Sequence, residues 1–384
     1  MLARSVLHIA HQPLTGVWSM MRQLGLWQIA QGYRVGFGLM LQPDWPTHYR
    51  QQIPALQQTG LEVRSAPSPA IFGTGAHLYH QALNPVPQWL DTFSSHGTDR
   101  VIVHFHNAWL SGAYMPLRNR QAVGVVTYHG IQGERALRRQ PLRRRLHRYW
   151  AWRSMRHALR HVSVDAHNTA VAERLFGIDR RSFAVIPNGT VAAPAGVSGC
   201  PRLTQPTLPF TVGHVGYIDQ GKGWRITARA VEQLHGEGFD VRLLIAGSGP
   251  EARLAQDWCA ANPGFARYLG HVSAPSVDVY PYLDALSLPS MSEGLPMAAL
   301  EAFAFAIPVV GTAAGGLAEA IVNGVNGNVV ERAPGAVAAA LRRLIVEPAH
   351  HAALSQGAGQ THRSRYSVTT MGQRYDALYS GSAL

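Results

Sequence analysis

The sequence predicts an α/β protein made of two successive doubly wound parallel-sheet domains. Three observations carry this expectation. β-rich runs alternate with segments of helical character, the order expected of parallel sheets covered by helices. The alternation stops once, from Pro187 to Pro209, where Pro, Gly, Ala, Ser and Thr dominate and a linker is expected. The chain has 384 residues, 46% of them hydrophobic, enough for two full cores.

The first series contains strands at Val6–Ala10, Val35–Leu41, Val101–Phe105, Val123–Thr127, His161–Val164 and Phe183–Ile186. The second contains strands at Thr211–Val215, Val241–Ala246, Arg267–Leu269, Ala285–Leu288, Pro308–Gly311 and Gly327–Val330, with helices such as Trp224–His235 and Met297–Phe305 between them. Ligands of such sheets bind beyond the carboxyl ends of the strands, so a cleft between two facing sheets is the expected site. No repeat of solenoid period is present.

Composition narrows the classes further. The two cysteines, Cys200 and Cys259, are too few for a disulfide framework and have no metal spacing, so a reducing compartment is expected. The run Ser5–Ala10 is short and interrupted by His8, unlike a secretory apolar core, and no apolar stretch reaches the roughly 18 residues of a membrane span. Net charge is +12, and 33 of the 34 basic residues are arginine, the exception being Lys222. Residues 1–190 hold 21 arginines against 8 acidic residues, whereas residues 191–384 hold 13 basic and 14 acidic ones. The two halves are therefore expected to do different work.

The most informative motif is Pro289-Ser-Met-Ser-Glu-Gly-Leu-Pro-Met-Ala-Ala-Leu-Glu301, which leaves a short strand and enters an Ala-rich helix. Gly294 and Pro296 sit where that helix would begin, Pro being tolerated in a first turn whose N–H groups have no helical partner. The amides of Gly294, Leu295, Pro296's neighbour Met297 and the rest of that turn form an anion site. Glu293 lies before the turn, and Glu301 is expected about two turns along the helix. Carboxylates accept paired sugar hydroxyls, so two of them beside an anion site suit a ligand with hydroxylated rings either side of a phosphate. An amphipathic helix with a solvated Glu at each end is the plain alternative.

Three further strand ends carry glycine turns. Gly216 to Gly223 places Lys222 where a phosphate could sit, against the plain reading of a surface lysine. Gly247-Ser-Gly249-Pro250 lets backbone approach a base or ribose, though such a turn alone is ordinary loop chemistry. Gly311 to Glu319 repeats the pattern with Gly315 and Gly316.

Together these segments resemble the retaining glycosyltransferases of family four, of the bacterial exopolysaccharide and glycolipid type, which have the GT-B fold: two Rossmann-like doubly wound domains facing across a cleft. The resemblance covers nearly the whole chain. Glu293 and Glu301 match the E-x7-E motif, and Gly216, Lys222-Gly223, Gly247–Pro250 and Gly315-Gly316-x-x-Glu319 match the other donor-side segments. In the first half, Thr15-Gly16-Val17, His104-Phe-His106, Val126-Thr-Tyr-His129-Gly130 and Ile186-Pro-Asn-Gly189 match as well. The resemblance implies an N-terminal acceptor-side domain over 1–190, a nucleotide-sugar domain over 191–365, and a terminal helix in 366–384 that crosses back to the first domain.

By the same resemblance, Glu301 would bind ribose hydroxyls, Glu293 the transferred sugar, and Lys222 with the amides around Gly294 to Met297 the diphosphate. Gly16 would approach the phosphates, and His129 would sit near the reacting sugar. One departure stands out: Tyr217 occupies the position where the family usually has Arg. Front-face attack, with the departing phosphate oxygen taking the acceptor proton, is the implied route, and two-carboxylate glycosidase logic does not apply. The donor leans toward a UDP-hexose. No cofactor and no metal are expected: the chain has no Asp-x-Asp pair, and His104 with His106 lacks a third ligand at a recognisable spacing.

From Arg135 to Arg160 there are ten arginines and no acidic residue, interleaved with Leu and aromatic side chains. Arg138, Arg139, Arg143, Arg144, Arg145 and Arg148 fit contact with an anionic membrane surface or a lipid-linked or polysaccharide acceptor. A solvated arginine face is the alternative, and nucleic acid is not expected because no binding module accompanies the charge. The expectation is a cytoplasmic enzyme, peripheral at the inner face of the membrane. A nucleotide-sugar 2-epimerase on the same scaffold and a non-catalytic carbohydrate- or lipid-binding protein are the alternatives.

Overall fold

The computed structural model describes residues 5–11, 15–43, 45–67, 85–94, 101–106, 122–130, 149 and 160–381. Contacts divide the chain into two units, Met1–Pro187 with Met371–Leu384, and Asn188–Thr370.

The first unit is a sheet of β1 (Ser5–His11), β2 (Arg34–Leu41), β3 (Glu62–Pro67), β4 (Val101–His106), β5 (Ala122–Tyr128), β6 (Arg160–Ser163) and β7 (Phe183–Val185). Its order is β3-β2-β1-β4-β5-β6-β7, and every pair is parallel. Helices α1 (Thr15–Ala30), α2 (Val86–Ser94) and α3 (Ala166–Phe176) connect or cover the strands. Covered sheets bury both faces, which is why β1 and β4 read as nearly unbroken apolar runs and bury Leu7, Ile9, Val103 and Phe105 with Trp89 and Phe93 of α2. α3 is bounded by local chemistry: Asp165 accepts from the Asn168 amide at 2.6 Å at its start, and Gly177 closes it in the left-handed conformation.

The strand expectations hold, with one omission. β3, Glu-Val-Arg-Ser-Ala-Pro, is an edge strand of partly exposed residues and carries no apolar run. It exists because β2 offers it a ladder from Gly36 opposite Glu62 to Leu41 opposite Pro67.

The second unit contains β8 (Phe210–Val215), α4 (Trp224–Gly236), β9 (Val241–Ala246), α5 (Ala252–Ala261), β10 (Ala266–Gly270), β11 (Ala285–Leu288), α6 (Met297–Ala304), β12 (Val309–Thr312), α7 (Gly316–Ala320), β13 (Gly327–Val330), α8 (Pro334–Val346) and α9 (Pro348–Thr361). The parallel order is β10-β9-β8-β11-β12-β13. α4 buries Trp224, Thr227, Ala228, Val231 and Leu234, one face at helical spacing, against the core that holds Val212, Leu243 and Leu341.

The stretch from Pro187 to Pro209 is anchored at residues 188–190 and 199–200, with most of the residues between them exposed. The amide of Thr190 donates to Tyr366 O and that of Val368 to Thr190 O, both at 2.8 Å, while Cys200 N donates to Leu283 O at 2.7 Å. One of its small residues is fixed by packing: an added Cβ at Gly199 would overlap the Ile307 side chain. Composition marks chain without regular structure, but here the irregular backbone is tied into the second unit.

The final helix, α10 (Val368–Ser380), belongs to the first unit from Met371 onward. There Tyr33 donates to the Asp376 carboxylate, Thr127 bonds the Tyr375 hydroxyl at 3.0 Å, and Gly372 faces Trp27 so closely that a Cβ would overlap the indole. Gly372→Leu should therefore destabilise the protein by about 1–3 kcal/mol through overpacking. Urea unfolding of the variant measures this, and a midpoint equal to wild type would show that α10 does not pack as described.

Candidate active site

In the second unit four glycine-bearing loops follow β9, β8, β11 and β12, which are consecutive in the sheet, so their carboxyl ends share one edge. The chain leaves β8 for β9 on one side and reaches β11 on the other, making β8 and β11 the switch point at which such sheets bind ligands. Lys222 comes from the loop after β8 and Glu293 from the loop after β11, and they meet there, Nζ to Oε2 at 2.6 Å. The Glu293 side chain is 6% exposed and that of Lys222 32%, so the carboxylate is held inside and the ammonium reaches outward. Ser290 donates to the other oxygen of Glu293 at 2.7 Å.

Both loops are built by backbone contacts. The Lys222 amide donates to Asp219 Oδ1 at 2.8 Å, and Met291 N donates to Gly221 O at 2.8 Å, joining one loop to the other. Gly223 has φ 77° and lies under Pro289, whose carbonyl oxygen a Cβ would overlap. Arg332, just beyond β13, donates from Nε to Pro289 O at 3.0 Å and from Nη2 to Gln220 O at 2.6 Å, clamping the same two loops. Behind Glu293, Gly316 N donates to its carbonyl at 3.3 Å.

α6 starts with Pro296 in extended backbone at the N-cap and no side chain capping it, so its first-turn amides are not consumed by a cap. Because α6 begins only at Met297, Glu301 lies one turn into it and not two. Its Oε2 accepts from the buried Tyr280 hydroxyl at 2.7 Å, which fixes the carboxylate; burial, and then the Glu301 charge beside it, pushes the Tyr280 phenol well above its ordinary pKa. Leu295 is buried, and its carbonyl accepts from Asn188 Nδ2 at 3.2 Å.

Gly247 and Gly249 have a packing reason for being glycine. A Cβ on Gly247 would overlap the Gly216 carbonyl oxygen, and one on Gly249 would overlap Ile218 O, because these two loops run backbone to backbone. Gly216 itself has open space where its Cβ would be. Tyr217 is exposed and brings no cation to the position where the resemblance led us to look for Arg.

In the first unit, Gly16 is the second residue of α1, and His129 follows β5. His129 is the end of a hydrogen-bonded cluster. His106 Nδ1 and His129 Nε2 are 3.0 Å apart, His8 Nδ1 and His106 Nε2 2.8 Å, and His8 Nε2 lies 2.8 Å from Gln28 Oε1. His104 bonds Thr127 Oγ1 at 2.7 Å and the Tyr379 hydroxyl at 2.7 Å.

Spacing alone missed His8, the third member of a possible ligand group; it is opposite His104 in the β1–β4 ladder. His8, His104 and His106 bring ring nitrogens within 4.8 Å of one another. All six of their ring nitrogens already have hydrogen-bond partners, so the cluster is organised as a neutral hydrogen-bonding network. Burial lowers the pKa of His8 to about 4 and holds His104, His106 and His129 below the ordinary histidine range. In the second unit burial lowers His214, which donates from Nδ1 to Ser287 O at 3.1 Å, to about 4 as well.

Sequence reasoning thus named Lys222 and Glu293 but not their pairing, nor Tyr280, Ser290, Arg332, Gln28 and His8. Ser290 lies within the motif and was visible there; the others have no local signal. Arg138, Arg139, Arg143, Arg144, Arg145 and Arg148 lie outside the described residues.

The chain matches the family described as "Glycosyltransferase Family 4" over residues 14–192 and that described as "Glycosyl transferases group 1" over residues 209–347. It is 33% identical over 173 residues to a 2-deoxystreptamine glucosyltransferase of Streptomyces kanamyceticus, covering 42% of this chain and 43% of the relative. To a D-inositol 3-phosphate glycosyltransferase of Corynebacterium urealyticum it is 29% identical over 226 residues, 56% and 52% of the two chains. The chain spans about half the length of these curated relatives. A crystal structure of HepE from Anabaena in complex with UDP and glucose shares the fold, with a TM-score of 0.74, 18% identity, and 98% and 99% of the two chains covered.

Two outcomes follow from the geometry. Lys222→Met should cost on the order of 1–2 kcal/mol, less than a fully buried pair because the ammonium is partly solvated, and adding Glu293→Gln should recover part of it. Strict additivity of the two changes in urea unfolding would deny the ion pair. Separately, the lowered histidine pKa values mean the unfolded chain binds more protons in acid, so stability present at neutral pH should fall as pH drops from about 6.5 to about 4. Unfolding free energy measured across that window checks the sign, and a flat profile would show the histidines are not buried neutral.

Proposed function

Because the chain belongs to the family-four glycosyltransferases, whose GT-B fold of two Rossmann-like domains it shares, we propose that it transfers a sugar from a nucleoside-diphosphate donor to an acceptor hydroxyl with retention of configuration. The observation that carries this reading is the Lys222–Glu293 pair at the switch point beside the uncapped start of α6. Cleavage of the anomeric C–O bond leaves negative charge on the diphosphate, which Lys222 and the first-turn amides of α6 stabilise. Glu293 accepts from hydroxyls of the transferred sugar, and Glu301, oriented by Tyr280, accepts from the ribose. His129 meets a hydroxyl of the reacting sugar, and Gly16 allows close approach to the phosphates.

The acceptor oxygen attacks the anomeric carbon from the face the diphosphate leaves, and its proton passes to the departing phosphate oxygen. One C–O bond breaks and one forms, with no metal or cofactor required. A UDP-hexose donor is the favoured class, supported by the UDP complex of HepE. The basic stretch Arg135–Arg160 favours an anionic, lipid-linked or polysaccharide acceptor at a membrane surface. Among the described residues no helix is long and apolar enough to cross a membrane; what supports a place on the bilayer surface is the arginine stretch.

The test is incubation with labelled nucleotide sugars and membrane lipid extract, reading released nucleotide and label in the lipid phase. Transfer from a UDP-hexose is expected; an isomerised donor without transfer, or no reaction with any donor, would overturn the assignment. Glu301→Ala should raise the donor KM at least about tenfold, while Glu293→Gln should lower kcat about a hundredfold with nucleotide affinity little changed. Neutralising Arg143, Arg144 and Arg145 should weaken binding to anionic vesicles, most at low salt. Unchanged vesicle binding would return the arginine stretch to a solvated face.

A further inference from the structure

We propose that Gln28 and His8 are positioning residues that, through His106, hold the His129 ring in the Nε2–H tautomer and leave its Nδ1 as a hydrogen-bond acceptor. This rests on the reading of His129 as a group that meets the transferred sugar. The argument is one of donors and acceptors. A neutral imidazole has one of each, so in a chain of neutral rings the direction of one hydrogen bond dictates the next.

We adopt the Gln28 assignment that puts its side-chain oxygen toward His8 Nε2, 2.8 Å away, where an oxygen can only accept. His8 therefore donates from Nε2, and its Nδ1 must accept. His106 then donates from Nε2 across 2.8 Å, and its Nδ1 accepts from His129 Nε2 at 3.0 Å. His129 Nδ1 is left without a proton, able to accept from a sugar hydroxyl.

The surroundings preserve this direction. His8, Gln28 and His106 are each at most 1% exposed, so water does not compete for their hydrogen bonds. Desolvation keeps all the rings neutral at neutral pH, which stops a second proton from erasing the polarity. The rings cannot readily turn: His8 meets Phe37 edge-on at 5.6 Å, and His106 lies within 25° of the planes of both His8 and His129. His104, the fourth histidine, is held by the Thr127 and Tyr379 hydroxyls and stands outside the relay.

The experiment uses the full chain with 15N-labelled histidine and long-range 1H–15N correlation to read the His129 tautomer without substrate, alongside kcat and KM for the donor. Wild type should show Nε2–H at His129. His8→Phe, which keeps a ring but removes the acceptor, should give mixed tautomers at His129 and lower kcat about tenfold with donor KM within twofold. His8→Asn, whose side-chain oxygen replaces Nδ1, should restore both. Gln28→Leu should reproduce the His8→Phe effect and serves as the second variant if His8→Phe does not fold. An Nδ1–H ring in wild type, or an unchanged tautomer or kcat in both folded variants, would overturn the proposal. Absence of transfer by wild type would instead overturn the reading of the function, while the tautomer measurement would still report on the relay.

Discussion

Parallel pairing brings every carboxyl end of a sheet to one edge, and both units depend on that constraint. Parallel strands cannot be joined by tight hairpins, so each is followed by a loop and a return through a helix, and the loops accumulate on the same side. In the second unit this sets four glycine turns in a row. In the first it sets the ends of β1, β4 and β5 beside one another, with His106 ending β4 and His129 following β5. Residues far apart in the chain become neighbours because they end adjacent strands.

Close backbone approach then does what side chains cannot. The loops after β8, β9 and β11 lie against each other at Gly216, Gly247 and Gly223, where a methyl group would collide with a carbonyl oxygen of the next loop at the latter two. That contact sets the height of Lys222 over the sheet and lets it reach Glu293. Arg332 adds two hydrogen bonds to carbonyls of the same loops. The glycines therefore matter for assembling the ion pair as well as for any direct approach of a ligand.

The two units use opposite electrostatic means. The second joins a lysine and a glutamate where a leaving diphosphate would develop charge, a setting in which a compact ammonium differs from a planar guanidinium. The first unit buries uncharged imidazoles, whose value lies in direction and not in charge. A hydrogen-bond chain closed by an amide at one end transmits tautomer choice without moving an atom far.

Much of this was legible before folding. The apolar runs of buried parallel strands, the glycine turns and the spacing of Glu293 and Glu301 are local, and local pattern names them. β3 escaped because an edge strand needs only one partner and no apolar face. The segment after Pro187 was read as linker because composition records the lack of regular structure, whereas the backbone hydrogen bonds that anchor it at Thr190, Gly199 and Cys200 go to Tyr366, Phe305 and Leu283 far along the chain. The sequence by itself determined the element order, the segregation of charge and the identity of the candidate donor-binding residues. Only tertiary structure decided that Lys222 meets Glu293, that Tyr280 holds Glu301, and that Gln28 and His8 stand behind His129. Those pairings join residues from 20 to nearly 100 positions apart, and strand order, which no local pattern encodes, is what brings them within a hydrogen bond.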